Sequence, residues 1–257
     1  MQRILILSDL HCGHKGSICH PSYNINNEQK RAWEFFWKGI LKYKPFTHLF
    51  LNGDAIDGRG VKHSNHQMTT DRATQCSMVC KILNEIKKVN KQPMKYYFTR
   101  GTSVHTGQDG DEFENTIAEK FLNDGYNKPI IDDALLVEID GVKFDLKHHV
   151  GRSVLPHGKP SPLMRSGVLK IFAETITGEK AADIFIRSHV HYHVFCEIYG
   201  KTMLTTPALQ FWSEYGARLC EGIVEFGFIV CDVNKGKVVQ WHKYITRTIV
   251  KQNVIKG

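Results

Sequence analysis

The chain of 257 residues carries 34 lysines and arginines against 26 acidic residues, a formal net charge of +8, with 42% apolar and 23% charged residues. An apolar share of that size excludes a disordered chain. Its longest apolar runs fall far short of the roughly 18 residues of a membrane span, so no membrane partner is expected.

No Pro/Ser/Gly-rich linker divides the sequence, which predicts one domain over residues 1–257. MQRILILSDLH has too short an apolar part and no small-residue cleavage site for a signal peptide, so it reads as a first strand and a cytoplasmic location is expected. Seven cysteines without a CxxC fit reduced thiols. RILILS is a continuous apolar run, the mark of a strand buried on both faces. A polar loop (9–27) leads into EQKRAWEFFWKGILKYK, apolar at helical spacing and stopped by Pro45. FTHLFL is a second buried strand before GDAIDGRG, and strand–helix–strand suggests a parallel pair joined by a crossover. Residues 67–90 are helical in pattern, MKYYF is a third strand, and DEFENTIAEKFLNDG is a helix with acids in its first turn and a glycine stop.

The character then changes. ALLVEIDGVKFDLKHH is a hairpin about Asp140-Gly141. A loop rich in Gly and Pro (149–164) precedes a helix near 165–178, and ADIFIRS is a further buried strand. Two more hairpins turn at Tyr199-Gly200 and at Asn234-Lys235-Gly236. This order predicts an α/β protein with two packed mixed sheets flanked by helices.

In doubly wound sheets, ligands bind beyond the carboxyl ends of the strands. Five strands here end in candidate ligands: Asp9 and His11, Asp54 and Asp57, His105 in GTSVH, His148 and His149, and His189 and His191. Each group alone reads as a cap, a plain turn or a solvated loop; their joint occurrence does not. On an extended chain, residues one apart point the same way, so Asp9 with His11, and His189 with His191, can each grip a common centre. Oxygen and nitrogen ligands suit Mn, Fe, Zn, Ni or Mg. Six or more of them exceed what one tetrahedral zinc needs, which points to two metals sharing a carboxylate.

In the order DxH, GDxxD, a G…H loop, H and HxH, the stretch from Asp9 to His191 resembles the calcineurin-like metallophosphoesterase family. The resemblance implies a four-layer α/β/β/α sandwich with a dimetal centre, manganese first among its candidate ions, that hydrolyses phosphate esters by a metal-bridged hydroxide. Carried over by motif, Asp9, His11 and His191 would hold one metal, Asp54 would bridge, and His148 and His189 would hold the second. Asp57 would support the site, and His149 rivals His148. The family's Asn-His directly after the loop glycine is absent: Thr102, Ser103 and Val104 separate Gly101 from His105. His105 is therefore either the proton donor to the leaving oxygen or a substitute ligand, with Thr102 and Ser103 as the other substitutes. Ser188 replaces the usual glycine before the HxH pair. Arg100 is a candidate for bidentate contact with substrate phosphate. His14, His20, His63, His66, His157 and His193 lie in loops around the strand ends, and Lys15, Arg59, Lys62 and Arg152 offer a basic rim. With the positive charge, the expected substrate is a phosphodiester of DNA, RNA or a nucleotide. The alternatives are a phosphomonoesterase and a catalytically silent binding module, the latter suggested by the altered loop.

Overall fold

The structure, a computed structural model, describes residues 1–59, 66–106, 113–122, 128–153, 155–178, 180–212 and 223–249. Strand β1 (Gln2–Leu7) shows why its sequence is apolar without alternation. Leu5 and Leu7 pack under helices, whereas Ile4 and Ile6 face a second sheet. Helix α1 (Asn27–Tyr43) crosses over to β2 (His48–Asn52), parallel to β1. Helix α2 (Arg72–Asn90), β3 (Lys95–Thr99), the four-residue α3 (Ser103–Thr106), α4 (Phe113–Leu122) and β4 (Ile130–Asp132) continue the parallel half. The second half supplies β5 (Ala134–Ile139), β6 (Val142–Lys147), α5 (Ser161–Thr177), β7 (Ile184–Arg187), β8 (Val194–Ile198), β9 (Lys201–Thr205), β10 (Ile223–Asn234) and β11 (Lys237–Ile249).

These strands form a six-stranded sheet, β11-β10-β1-β2-β3-β4, and a five-stranded sheet, β5-β6-β7-β9-β8, both mixed. Phe50, Phe144, Ile186, Leu204 and Ile229 fill the space between them. Helices α1, α2 and α4 cover the outer face of the first sheet, and α5 covers the second through Leu163 against Phe185 and Met203. The result is the α/β/β/α sandwich expected from the element order.

All three predicted hairpins turn where the sequence places them. Asp140-Gly141, Tyr199-Gly200 and Lys235-Gly236 each have φ positive at both residues, the condition that matches a two-residue turn to the twist of its strands. Helix boundaries shift in two places. The helix expected from residue 67 starts at Arg72, because Asp71 caps it by accepting the Thr74 N–H, while Gln67 pairs with His14 in a short bridge. The helix expected near 165 begins at Ser161, since Pro162 fits a first turn. Strand β4, three residues long, carried no pattern of its own. Six cysteines, Cys12, Cys19, Cys76, Cys80, Cys196 and Cys231, are free. No helix among the described residues is long and apolar enough to cross a membrane.

Helix α1 also anchors the loop that follows β1. Asn26 accepts the Gln29 N–H (2.8 Å) and donates its own N–H to the Gln29 side chain (3.2 Å), a capping box. The same Gln29 amide donates to the carbonyls of His14 and Ser17. Asn26→Ala is expected to lower stability by about 1 to 2 kcal/mol, read as a lower urea midpoint at unchanged m-value.

Candidate metal centre

Asp9, His11, Asp54, His189 and His191 have φ between 44° and 75°, five of the nine non-glycine residues with positive φ among those described. This corrects the extended-chain premise: each DxH and HxH pair converges through left-handed turns. Such backbone costs about 1 to 3 kcal/mol per residue and persists only where the surroundings impose it. Here the loops brace one another. Asp9, His11 and Cys12 donate their N–H groups to the carbonyls of Gly53, Asp54 and Ala55 at 3.0–3.1 Å, and Ser188 donates to His148 at 2.8 Å.

Two clusters result. Asp9, His11 and His191 form one, and Asp54, His148 and His189 the other; in each, one ligand atom per residue lies within 4.8 Å of the rest. Asp9 Oδ1 is 3.3 Å from His191 Nε2 and 3.9 Å from both His11 Nε2 and His148 Nε2. Asp54 Oδ2 is 3.0 Å from His148 Nε2, 3.9 Å from His189 Nδ1 and 4.0 Å from His11 Nε2, so this carboxylate touches both clusters. Asp9 Oδ1 is buried with no hydrogen-bond partner among the described residues, and His148 Nε2, also buried, faces Asp54 Oδ2 at 3.0 Å. Buried polar atoms left this way are costly unless something occupies the space between them, and two hard-to-borderline divalent ions fit this O/N donor set.

His148 is buried, with its Nδ1 donating to the Asn52 carbonyl at 2.7 Å, whereas His149 is exposed and abuts His189. A bond from the other ring nitrogen to a backbone carbonyl is what orients an imidazole ligand. His105, on α3, holds its Nδ1 on the Asp57 carbonyl at 2.8 Å and sets its ring edge-on to His11 at 4.5 Å. It forms a third group with His11 and Asp54. Asp57 Oδ1 lies 3.7 Å from His11 Nδ1.

Burial, reinforced by nearby His105, holds the His11 ring well below the usual imidazole range, so it is neutral with a lone pair open to a metal. For Asp54 burial acts upward, yet His148, His105 and the bonds from His148 and His189 together hold it well below the carboxylate range. Burial likewise opposes charge on His148, but Asp54 and Asp9 overcome it and raise the ring to about 10. Without a metal, therefore, His148 carries a proton that an ion bound at this ring would have to displace. Apparent affinity for the second ion is expected to fall about tenfold per pH unit lowered between pH 9 and 7. Calorimetry in buffers of different ionisation heat should find about one proton released; a flat pH response would remove His148 from the ligand set.

Several supporting residues escaped the sequence. Asn52 Oδ1 accepts from Thr99 (2.7 Å), and its amide donates to the Lys147 carbonyl (3.2 Å) and to Ser188 Oγ (2.5 Å). Ser188 Oγ also meets Thr206, so its hydroxyl gives the small residue before His189 a role that a glycine lacks. Thr102 donates its backbone N–H to Asp54 Oδ1 at 2.7 Å, with its hydroxyl at 3.2 Å. That approach requires Gly101, where a Cβ would collide with Asp54, and Gly53, where one would meet the His148 ring. Glu114 is buried in the first turn of α4, its pKa raised to about 7 by burial and then by Asp54. In the sequence it was one acid among the DEFE residues, with nothing to mark it.

Arg100 donates to Asp133 (3.1 Å) and Asn115 (3.3 Å) and sits 3.6 Å from Asp132. His20 bonds Ser22 and packs on Trp33, His157 is exposed, and His193 holds its Nδ1 on the Thr205 carbonyl. Lys15, Arg59 and Arg152 are exposed, whereas Lys62 and His63 lie outside the described residues. His14 and His66 stand beside the clusters with Trp212.

No family model matches the chain, and no curated protein matches it. Solved structures similar to it include an archaeal phosphodiesterase, at 16% identity and a TM-score of 0.48 over 94% of this chain and 99% of that one. Vps29 of Entamoeba histolytica complexed with zinc is similar at 14% identity and a TM-score of 0.46, over 96% and 98% of the two chains. A conserved uncharacterized protein of Streptococcus pneumoniae, described as a predicted phosphoesterase, is similar at 11% identity and a TM-score of 0.36, over 91% and 83%.

Proposed function

We propose that this chain is a dimetal-dependent phosphoesterase of the calcineurin-like type, acting on a phosphodiester of a nucleotide or nucleic acid. The observation that carries it is the convergence of two buried carboxylate–imidazole clusters that share Asp54, with His105 beside them. Asp9, His11 and His191 would hold one ion and His148 and His189 the other, with Asp54 between. Bound there, the ions supply Lewis acidity toward phosphoryl oxygen and lower the pKa of water toward neutrality.

The chain's own residues supply the rest. The Asp57 carbonyl fixes the His105 ring, leaving its other nitrogen to pass a proton to the departing oxygen. Asp57 and Asn52 orient the imidazoles, and Thr102 steadies Asp54 where the family has its asparagine. Arg100 is engaged by Asp132, Asp133 and Asn115, so its charge is already met within the protein. The single charge of a diester suits such a site better than a monoester dianion.

Mn²⁺-loaded protein is expected to turn over bis(p-nitrophenyl) phosphate faster than p-nitrophenyl phosphate. A preference for the monoester would overturn the diester assignment. No turnover of either by protein shown to contain metal would leave the silent binding module.

A further inference from the structure

Beside the metal clusters stands an aromatic wall with no part in holding metal. His14 and Trp212 are stacked at 5.9 Å and 29°, and His66 meets Trp212 edge-on at 4.6 Å. Backbone ties attach this wall to the ligand loops. His14 donates its N–H to the His11 carbonyl, Lys15 to that of His66, and Phe211 and Trp212 to that of Gly16. Gly16 has no room for a side chain, because a Cβ there would collide with the Trp212 carbonyl. Gln67, next to His66, donates to Asp57 Oδ2 at 2.8 Å, and the other oxygen of Asp57 lies 3.7 Å from His11.

Trp212 and His66 are half-buried. His14 is 5% exposed, and its Nδ1 accepts the Gly16 N–H at 2.8 Å, which places the proton of the neutral ring on Nε2. Planar, partly exposed rings set at defined angles beside the metal clusters suit a flat heteroaromatic group.

We propose that Trp212 and His66, backed by the buried ring of His14, form a stacking shelf for the nucleobase attached to the scissile phosphate, an inference that rests on the phosphoesterase reading. The backbone ties assemble the shelf before substrate arrives, so stacking carries little ordering cost. It confers preference for nucleotidyl esters without reading base identity, since every base has a π face.

The test is calorimetric binding to Mn²⁺-loaded full-length protein, with AMP, ribose 5-phosphate and adenosine as probes. AMP is expected to bind about tenfold or more tighter than ribose 5-phosphate. Trp212→Leu should bring that ratio to about unity, whereas Trp212→Phe should keep most of it, which separates lost stacking from lost folding. Equal affinities in the unmodified protein, or an unchanged ratio in Trp212→Leu, would overturn the shelf. Failure of ribose 5-phosphate to bind, with adenosine and AMP still bound through Trp212, would remove the phosphoesterase reading and keep the shelf. The same Trp212 dependence for a single-stranded oligonucleotide extends the shelf to strands; dependence confined to AMP assigns it to free nucleotides.

Discussion

Asp54→Asn is expected to leave a folded chain whose phosphodiester turnover is lower by about 10³-fold or more, with metal lost from both clusters. Asp54 is 1% exposed, and its Oδ2 is within 4.0 Å of His11, His148 and His189. Asparagine keeps the size and can still accept the Thr102 N–H, so the change removes charge and little else. Metal content measured on the same sample ties rate to occupancy; full occupancy with a normal rate would refute the shared-carboxylate role.

The substitution also alters metal-free stability in a signed way. His148 is raised to about 10 by Asp54 and Asp9, from an ordinary value of 6.5. Its contribution is fully present below about pH 6.5 and is lost as pH rises toward 10, because there the folded state binds the extra proton. Metal-free protein should therefore weaken from pH 7 to 10, and Asp54→Asn should flatten that slope. Urea midpoints at three pH values suffice to measure it.

His105→Ala is expected to lower kcat by about 10² to 10⁴ for diesters with an alkoxide leaving group, with both metals retained. A p-nitrophenolate leaving group needs little protonation, so its diester should lose much less. The expectation follows from the Nδ1 bond to the Asp57 carbonyl, which fixes the ring beside His11 and Asp54 while leaving one nitrogen. Loss of one equivalent of metal, with equal losses for both leaving groups, would instead make His105 the ligand that replaces the missing asparagine.

The sequence by itself determined the order of the strands and helices apart from β4 and the short α3, the three hairpin turns, and the acids and imidazoles at each strand end. These are local properties: apolar periodicity, the need for φ > 0 at Asp-Gly and its equivalents, and the placing of acids and imidazoles just past apolar runs. Residues 67–71 were misread as helix because their helical pattern is overridden by Asp71 as a cap and by the Gln67–His14 bridge. Only the tertiary structure shows His148 buried beside Asp54 and His149 exposed. Neighbours on a strand end face opposite ways, and which way is inward depends on β6 lying beside β7 with Asn52 opposite. It alone also turned Arg100 toward Asp132 and Asp133, placed the Thr102 N–H on Asp54, and joined His14, His66 and Trp212 across up to 198 positions of chain. The physical reason is common to all of these: each partner is supplied by a distant segment, and no periodicity within a window reports which distant loops the sandwich brings to one edge.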